Sequence, residues 1–288
     1  MSITCLPVGT GSNGGSEVGY GIQRCNVWNE RMVSIMKNEI VKINGNQKDD
    51  YQRIDKKNSS TNLKRYFNLI ELSSLKRSIS VLDVGGGPGH FTKAVYDYLT
   101  ERGFEVTAYV LDTMRYPNWN EEAFKDIIFC EGSVEHVDTY FKEQKFDLIF
   151  CNKVFHHFVT DTYRKTVQML TTCMNKLRYQ LSPCGRLCIL DYFYDGLLMD
   201  NFPSWMIYQC TSQKNGLLIR LFKRMGSKSA GSGVCFQSER MWRRLIVHCG
   251  LKVAVFERGQ VSPIGIVKQI VFLSHKPVED SIFICTGR

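Results

Sequence analysis

Ser80-Val-Leu-Asp-Val-Gly-Gly-Gly-Pro-Gly-His-Phe-Thr92 is the stretch that decides the fold. Ile79–Val84 is a short apolar run closed by glycines, which predicts a buried strand. The glycines at 85, 87 and 89 permit tight turning and let backbone approach a ligand closely. A helix follows at once, with Phe91, Val95 and Leu99 on one face and its end near Gly103. Its N-terminus would aim amide N–H groups at whatever occupies the loop. Glycines alone make turns, so the loop by itself is a weak signal. Here strand, loop and helix stand in order, and an acid comes next. Asp112 ends the predicted strand Val106–Asp112, 23 positions after Gly89. A carboxylate there can accept both hydroxyls of a ribose. The alternative is a strand-end Asp that caps a turn.

Working outward, short strands alternate with amphipathic helices. Further strands are predicted at Asp126–Cys130, Phe146–Cys151 and Arg186–Leu190. Thr162–Leu181 carries Val167, Leu170, Met174, Leu177 and Leu181 at intervals of three and four, a helix ended by the turn Ser182-Pro-Cys-Gly185. Such alternation predicts an α/β fold, a doubly wound parallel sheet with helices on both faces. After Asp195 the pattern loosens until Phe236. Ser238 then caps a helix bearing Trp242, Leu245, Ile246 and Cys249, stopped by Gly250. Two late strands are expected, Lys252–Glu257 and Lys268–His275, around a Pro263/Gly265 turn. Upstream, residues 1–62 read as a glycine-rich tail, a helix over Asn26–Lys42 and a polar linker over Asn44–Asn62. Leu63–Leu75 reads as a further helix that opens the α/β domain, 63–288.

Composition narrows the class. The 288 residues are 43% hydrophobic with only 7 Pro, which excludes a disordered or collagen-like chain. No apolar run is long enough to cross a bilayer, and the first residues lack the form of a signal peptide. A cytoplasmic location is therefore expected, with the 11 Cys as thiols, several of them inside apolar runs as small core residues. Cys184 and Cys188 lack the companions of a zinc site, so no metal is expected. The net charge of +9 is concentrated: Lys214–Arg244 holds eight basic residues against Glu239 alone. Such a field suits an anionic partner or a solvated face.

Asp83-Val-Gly-Gly-Gly-Pro-Gly89 resembles the first motif of the class I S-adenosylmethionine-dependent methyltransferases. The acid two places before the first glycine is the methyltransferase form, distinct from the dinucleotide fingerprint. Phe129-Cys-Glu-Gly-Ser-Val134 resembles the family's segment after strand three. Phe146-Asp-Leu-Ile-Phe-Cys-Asn-Lys-Val-Phe-His-His-Phe158 is similar to its fourth-strand motif. Leu181-Ser-Pro-Cys-Gly-Arg-Leu187 resembles the turn before strand five, and Lys268-Gln-Ile-Val-Phe-Leu-Ser274 the antiparallel last strand. The resemblance covers about residues 64–277 and implies a Rossmann-like, seven-stranded sheet, mostly parallel with an antiparallel last strand.

The resemblance also implies S-adenosyl-L-methionine as cofactor and a set of site residues. Asp83, Gly85, Gly87 and Gly89 would hold its methionine end, with Asn152 lining that pocket. Asp112 would hold the ribose, and Ser133 and Val134 would flank the adenine. Many family members carry Asp where Ser133 stands, so weaker contact with the adenine amino group is expected. His156 or His157 would face the methyl as a general base or serve structurally. Asp191, Tyr192 and Tyr194 would line the substrate side or end a strand. The basic stretch around 196–236 would be an insertion or lid. The implied reaction is methyl transfer to an oxygen or nitrogen of a small molecule. An RNA, including a cap, is the alternative acceptor, although Asn152 stands where the ribose-methylating branch carries Asp and the strand-five Lys is missing. An inactive interaction module is the third reading, and the intact acids and glycine loop weigh against it.

Overall fold

The computed structural model describes residues 59–224, 229–261, 273–275 and 277–287. The expected helix at Asn26–Lys42 and the Pro263/Gly265 turn lie outside these residues. The first described element is a helix over 59–69, here α1, so the last residues of the expected linker are helical. A 3-10 turn, Leu72–Ser74, follows.

Strand β1 (Ser78–Val84) is buried along most of its length, as its β-branched and leucine residues require. Helix α2 (His90–Thr100) follows the glycine loop and buries Phe91, Val95 and Leu99. Next come β2 (Glu105–Asp112), β3 (Ile127–Glu131), the short α3 (Val137–Tyr140) and β4 (Phe146–Asn152). Helix α4 (Tyr163–Gln180) is capped by the Thr162 hydroxyl, which accepts from Lys165 N, and buries Leu170, Cys173, Met174 and Leu177.

Strand β5 spans Leu181–Phe193. The turn expected at Ser182–Gly185 is not a break before it. Those residues bulge within the strand, because β4 pairs Phe146 with Leu181 and then Leu148 with Arg186. The irregular stretch expected after Asp195 contains two helices, α5 (Phe202–Thr211) and α6 (Gly216–Arg224). The Ser238 hydroxyl caps α7 (Glu239–His248) by accepting from Met241 N at 3.0 Å, and Trp242, Leu245 and Ile246 are buried. β6 (Leu251–Glu257), a two-residue β7 (Gln260–Val261) and β8 (Val278–Gly287) complete the sheet.

Its order is β3-β2-β1-β4-β5-β8-β6, with β7 paired to β8. The first five strands are parallel and β8 runs antiparallel to β5 and β6. The expected last strand, Lys268–His275, is corrected: the antiparallel strand is Val278–Gly287. Residues 268–272 fall outside the described set, and Ser274 makes only an isolated bridge to Gly196. The Ser281-Ile-Phe-Ile-Cys285 run fits the buried centre better, and Ile282, Phe283, Ile284 and Cys285 are all buried.

Successive side chains of the central strands alternate between two cores. Leu82, Val84, Ile149 and Cys151 meet α4 and α7 on one face. Ile79, Val81, Leu148 and Phe150 meet α1 and α2 on the other. The strand order reverses between β1 and β4, and the crevice outside their carboxyl ends is where such sheets bind ligands.

Candidate active site

The loop after β1 turns through three left-handed glycines, Gly85, Gly87 and Gly89, at φ 65°, 54° and 84°. At Gly87 a Cβ would meet only the Tyr116 ring, its hydroxyl at 3.7 Å, so one face of the loop is open. Asp83 lies beneath, 1% exposed, and accepts from the Thr92 hydroxyl at 2.7 Å. It braces the loop from below. A segment that the sequence did not mark holds the loop from outside. Asn118 Nδ2 donates to the Pro88 carbonyl at 2.6 Å, and Trp119 Nε1 donates to the Gly87 carbonyl at 3.0 Å. Trp119 also stacks on Phe129, centroids 4.6 Å apart. Tyr116-Pro-Asn-Trp-Asn120 has no apolar period; its only sequence signal is an aromatic cluster beside a Pro turn.

Asp112, at the end of β2, faces the same loop. Its carboxylate accepts from Gly87 N at 2.8 Å and from Met114 N at 2.9 Å. Burial pushes its pKa up, against the backbone N–H bonds from Met114 and Gly87 that pull it down. The Asp112 carbonyl accepts from Gly132 N at 2.8 Å, which sets Ser133 and Val134 beside it. The Ser133 hydroxyl caps the turn Val134–His136 by accepting from Glu135 N, and Val134 is buried in the core.

At the end of β4, Asn152 Oδ1 accepts from the buried Tyr66 hydroxyl at 2.7 Å, a bond that ties α1 to the site. Asn152 Nδ2 is buried and has no hydrogen-bond partner among the described residues. Burial raises the Tyr66 pKa well above the usual phenol value, so the hydroxyl stays a donor. The next residue, Lys153, holds a left-handed backbone, φ 54°, as does Asp280, φ 55°. Their side chains form an ion pair at 2.5 Å, and the ammonium lies 5.1 Å from the Tyr192 ring centre. Arg65 joins α1 to this rim, bonding Glu257 at 2.5 Å and the Asp280 carbonyl.

Beside them is a buried pair, His156 Nδ1 and Asp191 Oδ1, 2.7 Å apart. Asp191 Oδ1 also accepts from Tyr192 N at 2.8 Å, while Asp191 Oδ2 is buried without a hydrogen-bond partner among the described residues. The His157 ring sits 4.1 Å from that of His156. Desolvation, with His156 close by, pushes the His157 pKa down to about 3. Part of that ring is open to solvent, which opposes the drop. Phe236 stacks on His156 at 4.7 Å and meets Tyr194 at 5.0 Å and Tyr192 at 5.8 Å. The structure thus gathers His156, His157, Asp191, Tyr192 and Tyr194 at one place. It adds Phe236, which lies 42 residues past Tyr194 and left no local trace in the sequence.

The sequence pattern of the methyltransferase domain family matches residues 75–233, more than half of the chain. The chain belongs to this family. Membership gives the chain a methyltransferase domain, for which the sequence resemblance implies S-adenosylmethionine as cofactor. The glycine cradle with one open face, the Asp112 carboxylate and the Asn152 Nδ2, which has no partner among the described residues, fit such a group. Among solved structures, this methyltransferase is similar to the 1,6-didemethyltoxoflavin-N1-methyltransferase of Burkholderia thailandensis. Identity is 15% and the TM-score 0.48, over 90% of this chain and 91% of that one. It is also similar to the mitomycin 7-O-methyltransferase MmcR, at 17% identity and TM-score 0.46, over 80% of this chain. The match spans 54% of that enzyme, so this chain covers about half its length. A third is an O-methyltransferase family protein of Burkholderia thailandensis, at 15% identity and TM-score 0.47, over 83% of this chain and 59% of that one. No curated protein matches the sequence. Among the described residues no helix of this methyltransferase is long and apolar enough to cross a membrane. The same residues hold no His, Cys, Asp or Glu cluster suited to a metal.

Proposed function

We propose that this methyltransferase moves a methyl group to an oxygen or nitrogen of a small molecule with an aromatic or flat body. Bound S-adenosylmethionine supplies the methyl, activated on a sulfonium. On this reading Gly85, Gly87 and Gly89 cradle the methionine end, and Asp83 positions the loop. Asp112 takes the ribose hydroxyls through lone pairs its two backbone bonds leave over. Ser133 and Val134 flank the adenine, and Asn152 offers its Nδ2 protons toward the methionine end.

The observation that carries the acceptor class is the aromatic cluster packed around His156 and Asp191. Rings of His157, Tyr192, Tyr194 and Phe236 close it at the carboxyl ends of β4 and β5. Such walls select a flat body and exclude water. Alignment of acceptor and methyl can supply about 7–11 kcal/mol of the barrier. A hydroxyl acceptor needs a base as well, worth roughly 10²–10⁴-fold. His157 is neutral at pH 7 and its ring has a lone pair for that proton, although the lowered pKa makes it a weak base. Asp191 fixes the tautomer and orientation of His156, against which His157 packs. The cations at the rim favour a small acceptor over RNA. Arg65 and Lys153 are each paired with a carboxylate, Glu257 and Asp280, and are not offered to phosphates. Segment 196–236 acts as the insertion that completes the cluster, since it carries Phe236.

Calorimetry with S-adenosylhomocysteine tests the donor half: binding is expected, and its absence sinks the reading. Labelled methyl incorporation, compared between a panel of phenols and aromatic amines and capped RNA, tests the acceptor half. Label appearing only in RNA overturns the small-molecule assignment.

A further inference from the structure

The segment that interrupts the α/β alternation is unusual in what it shows to water. Of the eleven large apolar side chains exposed among the described residues, seven lie between positions 197 and 221: Leu197, Leu198, Met199, Trp205, Leu217, Leu218 and Leu221. Three of them are on α6, which has no buried residue at all. At 100° per residue, Leu217, Leu221 and Leu218 form one arc of that helix. Ile219 and Phe222, both half-buried, turn toward the body, and Ile219 is the neighbour a Cβ on Gly231 would meet. Arg220, Lys223 and Arg224 form the remaining arc. They and Lys214 are exposed, with no ion pair among the described residues. By contrast α5, the helix before it, is anchored through buried Ile207 and Tyr208.

Three occupants could cover such a face. A second copy would meet it by two-fold symmetry, leucine arc against leucine arc, but three leucines on a nine-residue helix cover far less than the roughly 800 Å² per partner of a stable dimer and leave the cations unpaired. An RNA would satisfy the cations but leave Leu217, Leu218 and Leu221 in water. An anionic lipid surface satisfies both arcs, since headgroups take the cations while leucines enter the acyl boundary. The helix has nine residues, about 13.5 Å, so it lies in the interface and does not span it.

We propose that α6 docks this methyltransferase on anionic membrane surfaces. This inference is independent of the acceptor reading.

The test is co-sedimentation of the full chain with phosphatidylcholine vesicles, with and without phosphatidylserine. Binding is expected only with phosphatidylserine and falls as salt rises. Leu217→Glu/Leu221→Glu and, separately, Arg220→Glu/Lys223→Glu each lower partitioning by at least about tenfold. The control Tyr179→Glu, at another exposed apolar site, leaves it unchanged. All variants keep the parent's thermal midpoint and S-adenosylhomocysteine binding, because none of these side chains is buried or near the glycine loop. No vesicle binding, or equal binding to neutral vesicles, overturns the proposal. So does a dimer dispersed by the leucine changes, which assigns the face to a second copy. So does RNA binding that only the charge reversals abolish, without vesicle binding.

Discussion

Replacing Tyr66 with Phe removes one oxygen atom and tests the link between α1 and the candidate site. The ring contacts survive: Phe150 lies 4.9 Å away edge-on and Phe91 5.7 Å away. What is lost is the 2.7 Å bond to Asn152 Oδ1. Asn152 Nδ2 already has no partner, so the whole amide would be left without one. A buried acceptor deprived of its donor costs about 1–3 kcal/mol, partly offset because the phenol no longer has to be desolvated. A net loss of about 1–2 kcal/mol corresponds to a fall of roughly 2–8 °C in the thermal midpoint for a domain of this size. Tyr66→Leu, which also removes the ring, should cost more, about 3–5 kcal/mol. The decisive assay is a double-mutant cycle of Tyr66→Phe with Asn152→Ala, read by denaturant unfolding and by calorimetry with S-adenosylhomocysteine. Coupling above about 0.5 kcal/mol is expected in stability, and the product should bind Tyr66→Phe more weakly because the amide is no longer aimed. A cycle that closes to zero, with Tyr66→Phe as stable as the parent, refutes the bond and the roof built on it.

Gly87→Ala should cost about 1–2 kcal/mol for its left-handed backbone and abolish product binding, whereas Gly103→Ala, at φ 83° and with nothing within 4 Å, should match the cost and bind normally. Equal binding by both variants in calorimetry would remove the cradle from the argument. Asp112→Ala leaves Gly87 N and Met114 N without their acceptor and should weaken S-adenosylhomocysteine about tenfold to a hundredfold. For His157 the folded pKa lies below the unfolded value near 6.5, so the unfolded chain binds the extra proton as pH falls. Its contribution to stability is therefore present above pH 6.5 and is lost between there and the folded value of about 3. His157→Gln should flatten the thermal midpoint over that window relative to the parent, and parallel curves would refute the assignment.

Much of the fold was legible because periodicity and burial coincide. Ile79–Val84, Phe146–Cys151 and the helix from Thr162 are apolar where the core needs them, and their bounds agree within a residue or two. The misses have physical causes. Val278–Gly287 opens with charged residues, and the apolar run Lys268–Ser274 drew the strand assignment away from it. Ser182-Pro-Cys-Gly185 carries turn chemistry but is spent on a bulge that keeps the strand paired. Helix α5 buries Pro203, Ser204, Ile207, Tyr208 and Thr211, a stripe only half apolar and opened by a proline, and α6 buries nothing. In the site, Asp83, Asp112 and Asn152 stood at strand ends, where position alone marks them, and His156 in the turn just past β4. Tyr66, Asn118, Trp119 and Phe236 act through contacts distant in sequence, which no local pattern encodes.

The clamp of Arg65 on Glu257 and Asp280 spans 192 and 215 positions of chain. A ribosome delivers Arg65 well before Glu257 and Asp280. The Arg65 clamp is therefore a contact of high sequence separation, closing only after most of the sheet strands have been made. A disturbance at Asp280 would be felt at α1.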